Sequence, residues 1–494
     1  LHPRVRRQRQ MCIRDRFNVG GLFMGKKCRF YVDIMAMHEE VTGSCNLAIV
    51  KFPNGETLRF VTDCGLFQER KYDELNNALP FDPEKVDFCL ITHTHVDHIG
   101  RLPYMVKKGF YRSIYVTETT NKLLPLALND SFKVLSSVSK RKNVKCLYSE
   151  ADVDKTLSLL KPCRYNETIR VNDNVKITFL NNGHLVGAAL ILVQISYPEY
   201  EDINLLFTGD YNNKNMFFDV NPIPKWILEL PLTVIQESTY GDMDSTEIKE
   251  IFKENIKKCI ESDGTVLTLV FSLGRAQEIL YEFKCMQENC ELDSNIPIYF
   301  DGKLAIRYTN LYIKDGLGIK PEMKDFLPQN LTFVDNESRS DVLKSTSKKI
   351  IVTTSGMGSY GPAQVYIPEY ISRSNTLIHF TGYTAEGTMG GKLKNAETGS
   401  MVEVGGLIAK KRANVEYTTE YSAHAKADEM IEFLKQFKNL KLVLVNHGES
   451  QTKNIFAERI VEEVDAKRVG LLGREYFFRI DSYGLVKTLS TKFQ

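Results

Sequence analysis

Residues 91–100 read ITHTHVDHIG. The apolar run 88–91 leads straight into His93, His95 and His98, with Asp97 among them. The chain holds nine histidines in all, so three within six positions is a pattern rather than a scatter. Neutral imidazole and carboxylate are the donors that zinc-like divalent ions take. Alternate residues at a strand end point the same way, so His93 and His95 can converge on one ion. The turn that follows can aim Asp97 and His98 at a second. The alternative, a polar loop with incidental histidines, crowds these groups together with nothing to neutralise them.

The text on both sides alternates. Strands are expected at 29–35, 47–52, 59–61, 88–92, 113–116, 175–180, 190–195, 204–207 and 232–236, with a helix over 117–139. The longest apolar patch, 185–195, falls short of the roughly 18 residues of a membrane span and reads as a buried strand. After Tyr240, Ile248, Ile251, Phe252, Ile256, Cys259 and Ile260 recur at helical spacing, and Asp244, Ser245 and Thr246 supply an N-cap. An apolar run at 266–271, a helix over 275–286, a strand at 296–300, a helix near 304–314 and strands at 350–353 and 376–380 follow. This βαβ rhythm predicts a second unit built on a parallel sheet. A charged stretch near 409–415 closes it, and a helix over 426–437 and a strand at 441–445 resume the first pattern.

Composition narrows the class. A chain of 494 residues, 43% hydrophobic and 26% charged, is an ordinary globular balance with room for two or three compact units. The ten cysteines are scattered without a CxxC pair, which fits reduced thiols and a cytoplasmic setting better than a disulfide framework. The net charge is +2, but residues 1–23 hold six arginines and one aspartate and so contribute +5, leaving −3 for residues 24–494. A uniformly basic nucleic-acid coat is thereby excluded; a polyanion must be held by a local patch or by metal ions. Residues 1–23 lack apolar periodicity and are expected to be a non-native leader, with the natural start at Met24; the rival reading is a basic arm that grips nucleic acid.

The HxHxDH pattern at 93–98 resembles the signature of the metallo-β-lactamase superfamily. Its remaining positions can be matched in order: Asp63 in VTDCGLFQE, His184 in NNGHLVGAA and Asp210 in FTGDYN. Alone, His184 reads as a core histidine and Asp210 as a turn residue; their order and strand-end settings make them ligand candidates. ESTYGD (237–242), YSAHA (421–425) and VNHGE (445–449) resemble the three extra motifs of β-CASP nucleases, which carry a long insertion after the first of them. Here that segment, 242–412, is 171 residues and contains FSLGRAQEIL (271–280), TTSGMGSYGP (353–362) and TGYTAEGTMGG (381–391). His447 favours the RNA-directed group over the Artemis-type DNA nucleases. ESTYG is similar to the version in the pre-mRNA 3′-end processing endonuclease group, here as a bacterial or archaeal type of relative.

The resemblance implies an α/β fold: a metallo-β-lactamase αββα sandwich made from 24–241 and 413–494, with an inserted β-CASP domain of parallel-sheet α/β type at 242–412. It implies a metal-dependent ribonuclease acting on single-stranded RNA, with two divalent ions, Zn2+ foremost and Mn2+ also suited. His93, His95 and His184 would hold one ion, Asp97, His98 and His447 the other, and Asp210 would bridge them. Asp63 would support the histidines. Two such ions about 3.5–4 Å apart generate hydroxide at neutral pH. His424 would act as general acid, with Glu237 holding its imidazolium. Ser355 and Gly356 could offer donors to a phosphate; Arg275 either contacts the nucleic acid or pairs within the insert. His38 and His379 carry no motif and default to core or surface roles, and Trp226 to packing. A homodimer is compatible with this reading; a membrane partner is not expected. Two competing classes are a small-molecule hydrolase of lactam or thioester type and an inactive scaffold of an RNA-processing assembly. The insertion and the His424–Glu237 pair argue against the first, and the full ligand complement against the second.

Overall fold

The computed structural model describes residues 30–384 and 387–490. The leader expected at 1–23 lies outside them. Two sheets face each other across an apolar core. The first has eight strands, in the order Gly484–Ser490, Tyr476–Asp481, Tyr31–Ala36, Asn46–Lys51, Thr57–Thr62, Phe88–Leu90, Ile114–Thr117, Leu160–Cys163. The second has seven: Val469–Leu471, Leu440–Val445, Leu232–Gln236, Ile203–Phe207, Ala189–Ile195, Val175–Asn181, Thr168–Arg170. Successive residues of a strand face opposite ways. Within Ala189–Ile195, Ile191, Val193 and Ile195 enter the core between the sheets, and Leu190 and Leu192 turn to the helical layer behind. A strand buried on both faces reads as the unbroken apolar run seen in the sequence. Helix Glu118–Lys142 covers the first sheet, and helices Ala427–Lys435 and Ser450–Glu463 the second, which completes the four-layer sandwich.

The insert is a six-stranded, wholly parallel sheet ordered Leu331–Val334, Ile298–Asp301, Lys349–Thr353, Thr265–Leu269, Thr376–Phe380, Asn414–Tyr417. Its last strand pairs Leu377 with Asn414 through Phe380 with Tyr417, so this sheet runs past residue 412. The charged residues around it hid a strand that sits at an edge, where only one side must pair. The insert is not a loose appendage. Phe217 of the sandwich lies 5.5 Å from Tyr312 and 5.3 Å from Phe326 of the insert, edge-on to both.

One helix starts later than its spacing predicts. Residues Ser245–Glu247 form a single 3-10 turn, and the α-helix runs Phe252–Glu261. Its free amides are met from a distant part of the chain: Ile251 N and Phe252 N donate to Glu420 Oε1 at 2.5 and 2.9 Å. Trp226, expected to pack, is 45% exposed. His38 and His379 are core residues.

Candidate metal centre

The site lies where parallel strands end together. Thr62 pairs with Leu90, Phe207 with Ile235, and Gln236 with Val445. Parallel register brings their carboxyl ends to one rim, so the segments that follow deliver Asp63, His93, His95, Asp210, Glu237 and His447 side by side. His184 arrives from the loop after Val175–Asn181, Asp97 and His98 from the short helix Val96–Ile99, and His424 from just before Ala427–Lys435.

Two donor sets result. His93 Nε2 and His184 Nε2 each stand 3.1 Å from His95 Nδ1, and Asp210 Oδ2 is 3.5 Å from the first and 3.6 Å from the second. Beside them, His98 Nε2 is 3.2 Å from His447 Nε2 and 4.0 Å from Asp97 Oδ2. Asp210 joins the sets: its other oxygen, Oδ1, lies 3.1 Å from His98 Nε2 and 3.4 Å from His447 Nε2. That oxygen is buried without a properly directed hydrogen bond. Ligands about 2.0–2.1 Å from a tetrahedral ion stand roughly 3.3 Å apart, which is the spacing seen here. Imidazole nitrogens that turn lone pairs on one another at this distance cannot satisfy each other; a shared cation can. The residues therefore fit two divalent ions.

Protonation follows from burial. Desolvation holds His93 and His184 well below the ordinary imidazole value and brings His95 to about 4, so all three are neutral and ligand-ready. Burial also opposes charge on His98, but the carboxylates of Asp210 and Asp63 outweigh it and hold that ring well above its usual value. Burial pushes Asp210 up, yet the imidazoles around it, His447 and His98 foremost, pull it well below the carboxylate range.

Several of the rings are fixed from behind. Asp63 Oδ2 meets His98 Nδ1 at 2.8 Å and accepts from Thr92 Oγ1, and Oδ1 accepts from Thr92 N, both at 2.8 Å. His184 Nδ1 bonds Ala423 O at 3.0 Å, and His447 Nδ1 is 3.3 Å from Thr239 Oγ1. His424 Nδ1 is 3.0 and 3.1 Å from the two oxygens of Glu237, and its Nε2 faces Asp210 Oδ2 at 3.8 Å. Glu237 is itself pinned by Tyr211 N at 2.5 Å and Thr239 N at 3.2 Å. Burial opposes charge on His424, but Glu237 and Asp210 prevail and raise its pKa.

The metal loop is held by a neighbour outside the sequence motifs. The segment after Asp63 lies along it: Cys64 N donates to His98 O at 2.7 Å, Leu66 N to Val96 O at 3.0 Å, and Arg101 N to Cys64 O at 2.8 Å. Gly65 sits so close that a Cβ there would be 1.5 Å from Asp97 O. Arg101, fully buried, donates from Nε to Gly65 O at 2.5 Å and from Nη1 to Leu75 O and Ala78 O at 3.1 and 3.2 Å. An arginine in the otherwise apolar stretch after HxHxDH was the available signal. Lys426, near His424 in sequence, is buried as well. Its Nζ stands 3.4 Å over the Tyr240 ring, and burial lowers its pKa to about 7.

The insert closes over this rim. The Phe271 ring is 6.4 Å from that of His95, and Tyr383 donates its hydroxyl to Glu449 Oε1 at 2.7 Å. Gly356 lies against Phe271, where a Cβ on it would come within 2.8 Å of the ring, and Ser355 Oγ accepts from Tyr360 N at 3.2 Å. Arg275 turns its donors inward: Nε bonds Glu278 Oε2 at 3.1 Å and Nη1 bonds Thr381 O. Both partners belong to the insert.

Three family models match the chain. A metallo-beta-lactamase superfamily domain matches residues 50–218, a Beta-Casp domain 276–393, and a Zn-dependent metallo-hydrolase RNA specificity domain 408–469. The chain belongs to the metallo-β-lactamase-fold β-CASP ribonucleases, of the archaeal and bacterial type, and is a metal-binding hydrolase of that class. It is 30% identical over 426 residues to "Ribonuclease TTHA0252" of Thermus thermophilus, covering 83% of this chain and 91% of that one. It is 28% identical over 415 residues to "RNase J-like protein" of Methanocaldococcus jannaschii (81% and 90%) and 27% identical over 451 residues to "Integrator complex subunit 11" of Danio rerio (86% and 70%). No helix among the described residues is long and apolar enough to cross a membrane.

Proposed function

We propose that this chain hydrolyses phosphodiester bonds of single-stranded RNA, with two divalent ions, Zn2+ foremost, and with His424 as general acid. The observation that carries the reading is Asp210, whose two oxygens face two adjoining donor sets, with the His424–Glu237 pair at its side. When bound, such ions lower the pKa of water and offset charge on the scissile phosphate. His93, His95 and His184 would hold one, and Asp97, His98 and His447 the other, with Asp210 shared and Asp63 and Thr92 keeping His98 in the right tautomer. Attack of water-derived oxygen on phosphorus forms one P–O bond and breaks another, and the departing oxygen must gain a proton. Glu237 engages Nδ1 of His424, leaving Nε2 to deliver that proton into the site. The carboxylates of Glu237 and Asp210 raise its pKa, which favours the charged ring that can donate.

Labelled single-stranded RNA, incubated with the protein, with His95→Ala and with EDTA, tests this. Cleavage that both interventions abolish supports it. Cleavage that survives both, or none from a protein holding two ions per chain, refutes it.

A further inference from the structure

The insert's parallel sheet has a switch point. From the end of strand Thr265–Leu269 the chain builds Ile298–Asp301, Leu331–Val334 and Lys349–Thr353 on one side, then crosses to Thr376–Phe380 on the other. Ligands of parallel α/β sheets bind in the crevice beyond the carboxyl end at such a point. Phe271, two residues past that strand, stands in this crevice. It is half-buried and packs into none of the apolar cores of the described residues. The flanking loops make room for it: a Cβ on Gly356 would come within 2.8 Å of its ring, and one on Gly382 within 3.1 Å. The ring lies 6.4 Å from that of His95, a donor of the first set.

An uncharged aromatic ring has nothing to offer a phosphate. What it can take from an RNA strand is the face of a base. We infer that Phe271 is a stacking platform for the nucleobase adjoining the scissile phosphate, a positioning residue that sets that nucleotide's register over the metal site. Phenylalanine has no hydrogen-bonding group, so the platform accepts any base but requires one. This rests on the ribonuclease reading above and names how the same site holds its strand.

The test is a double-mutant cycle on RNA whose cleavage position has been mapped with the wild-type protein. Wild type, Phe271→Ala and Phe271→Trp are each assayed for kcat/KM, and for binding by anisotropy with Zn2+ present, on intact RNA and on RNAs made abasic at single positions either side of the cleaved bond. Metal content and thermal melting establish that the variants fold. Stacking predicts about ten- to hundredfold loss for Phe271→Ala on intact RNA, recovery of most of it in Phe271→Trp, and no further loss when Phe271→Ala meets the one abasic site that weakens wild type. Losses that multiply, or an unaffected Phe271→Ala, overturn the inference while leaving the ribonuclease reading intact. Absence of cleavage by metal-loaded wild type removes that reading instead, and the anisotropy cycle still decides whether Phe271 meets a base.

Discussion

Gly65→Ala is a one-methyl change with a consequence that can be worked out from distances. The added Cβ would sit 1.5 Å from Asp97 O, 2.0 Å from Asp97 C and 2.7 Å from His98 N. An ordinary carbon–oxygen contact is about 3.3 Å, so the two segments must part by nearly 2 Å. Both are backbone, tied to each other through Cys64, Leu66 and Arg101, and neither can rotate out of the way as a side chain would. Metal–ligand distances tolerate only about 0.2 Å. The residues pushed directly are Asp97 and His98, of the second donor set, whereas His93, His95 and His184 make up the first with Asp210. The expected result is a protein that folds, melts lower by an amount equivalent to about 1–3 kcal/mol, retains one ion per chain instead of two, and has lost RNA cleavage. Metal analysis by mass spectrometry after gel filtration, paired with a circular dichroism melt, reads this directly. Two ions per chain with turnover near wild type refutes the reasoning, because the loop would then have to be far softer than its hydrogen bonds allow.

Asp63→Ala removes the carboxylate behind His98 and is expected to weaken metal affinity about 10- to 100-fold; a chelator-competition titration checks it, and an unchanged affinity counts against the role. Arg101→Met leaves the carbonyls of Gly65, Leu75 and Ala78 without their donor and is expected to cost about 3 kcal/mol in a urea melt; an unmoved midpoint contradicts it. His379 lies against Phe252 with neither ring nitrogen bonded, and burial lowers its pKa to about 3. Between that value and about 6.5 the unfolded chain binds a proton there and the folded chain does not, so stability is lost as pH falls through this window. His379→Leu should shrink the loss between pH 7 and pH 4.5 by about 2–3 kcal/mol; parallel pH profiles for the two proteins would show the reasoning to be wrong.

Most strands were legible because a strand buried on both faces reads as a short run of apolar residues. Leu232–Gln236 and Thr376–Phe380 have the bounds their patterns predict. The misses share a cause. Asn414–Tyr417 is an edge strand whose residues are only partly covered, so its pattern is weak. The start of Phe252–Glu261 was misjudged because its cap is Glu420, which no local reading could supply. Arg275 left its partners open in the sequence, and only the fold brings it beside Glu278 and Thr381.

The chemistry of the chain is legible from residue order alone: histidines and carboxylates in sequence, each just after an apolar run, with a long insert between the halves. Ligand identity is a property of residue type and spacing, and survives without coordinates. Only the tertiary structure gives the distances between those donors and the backbone packed around them. His98 and His447 are 349 residues apart in sequence and 3.2 Å apart in space. Asp210 faces one set with each oxygen, Gly65 is pressed against the metal loop, and Phe271 hangs over His95. These relations arise where parallel strands from distant parts of the chain end at a common rim, and such long-range packing leaves no periodic trace in any one segment.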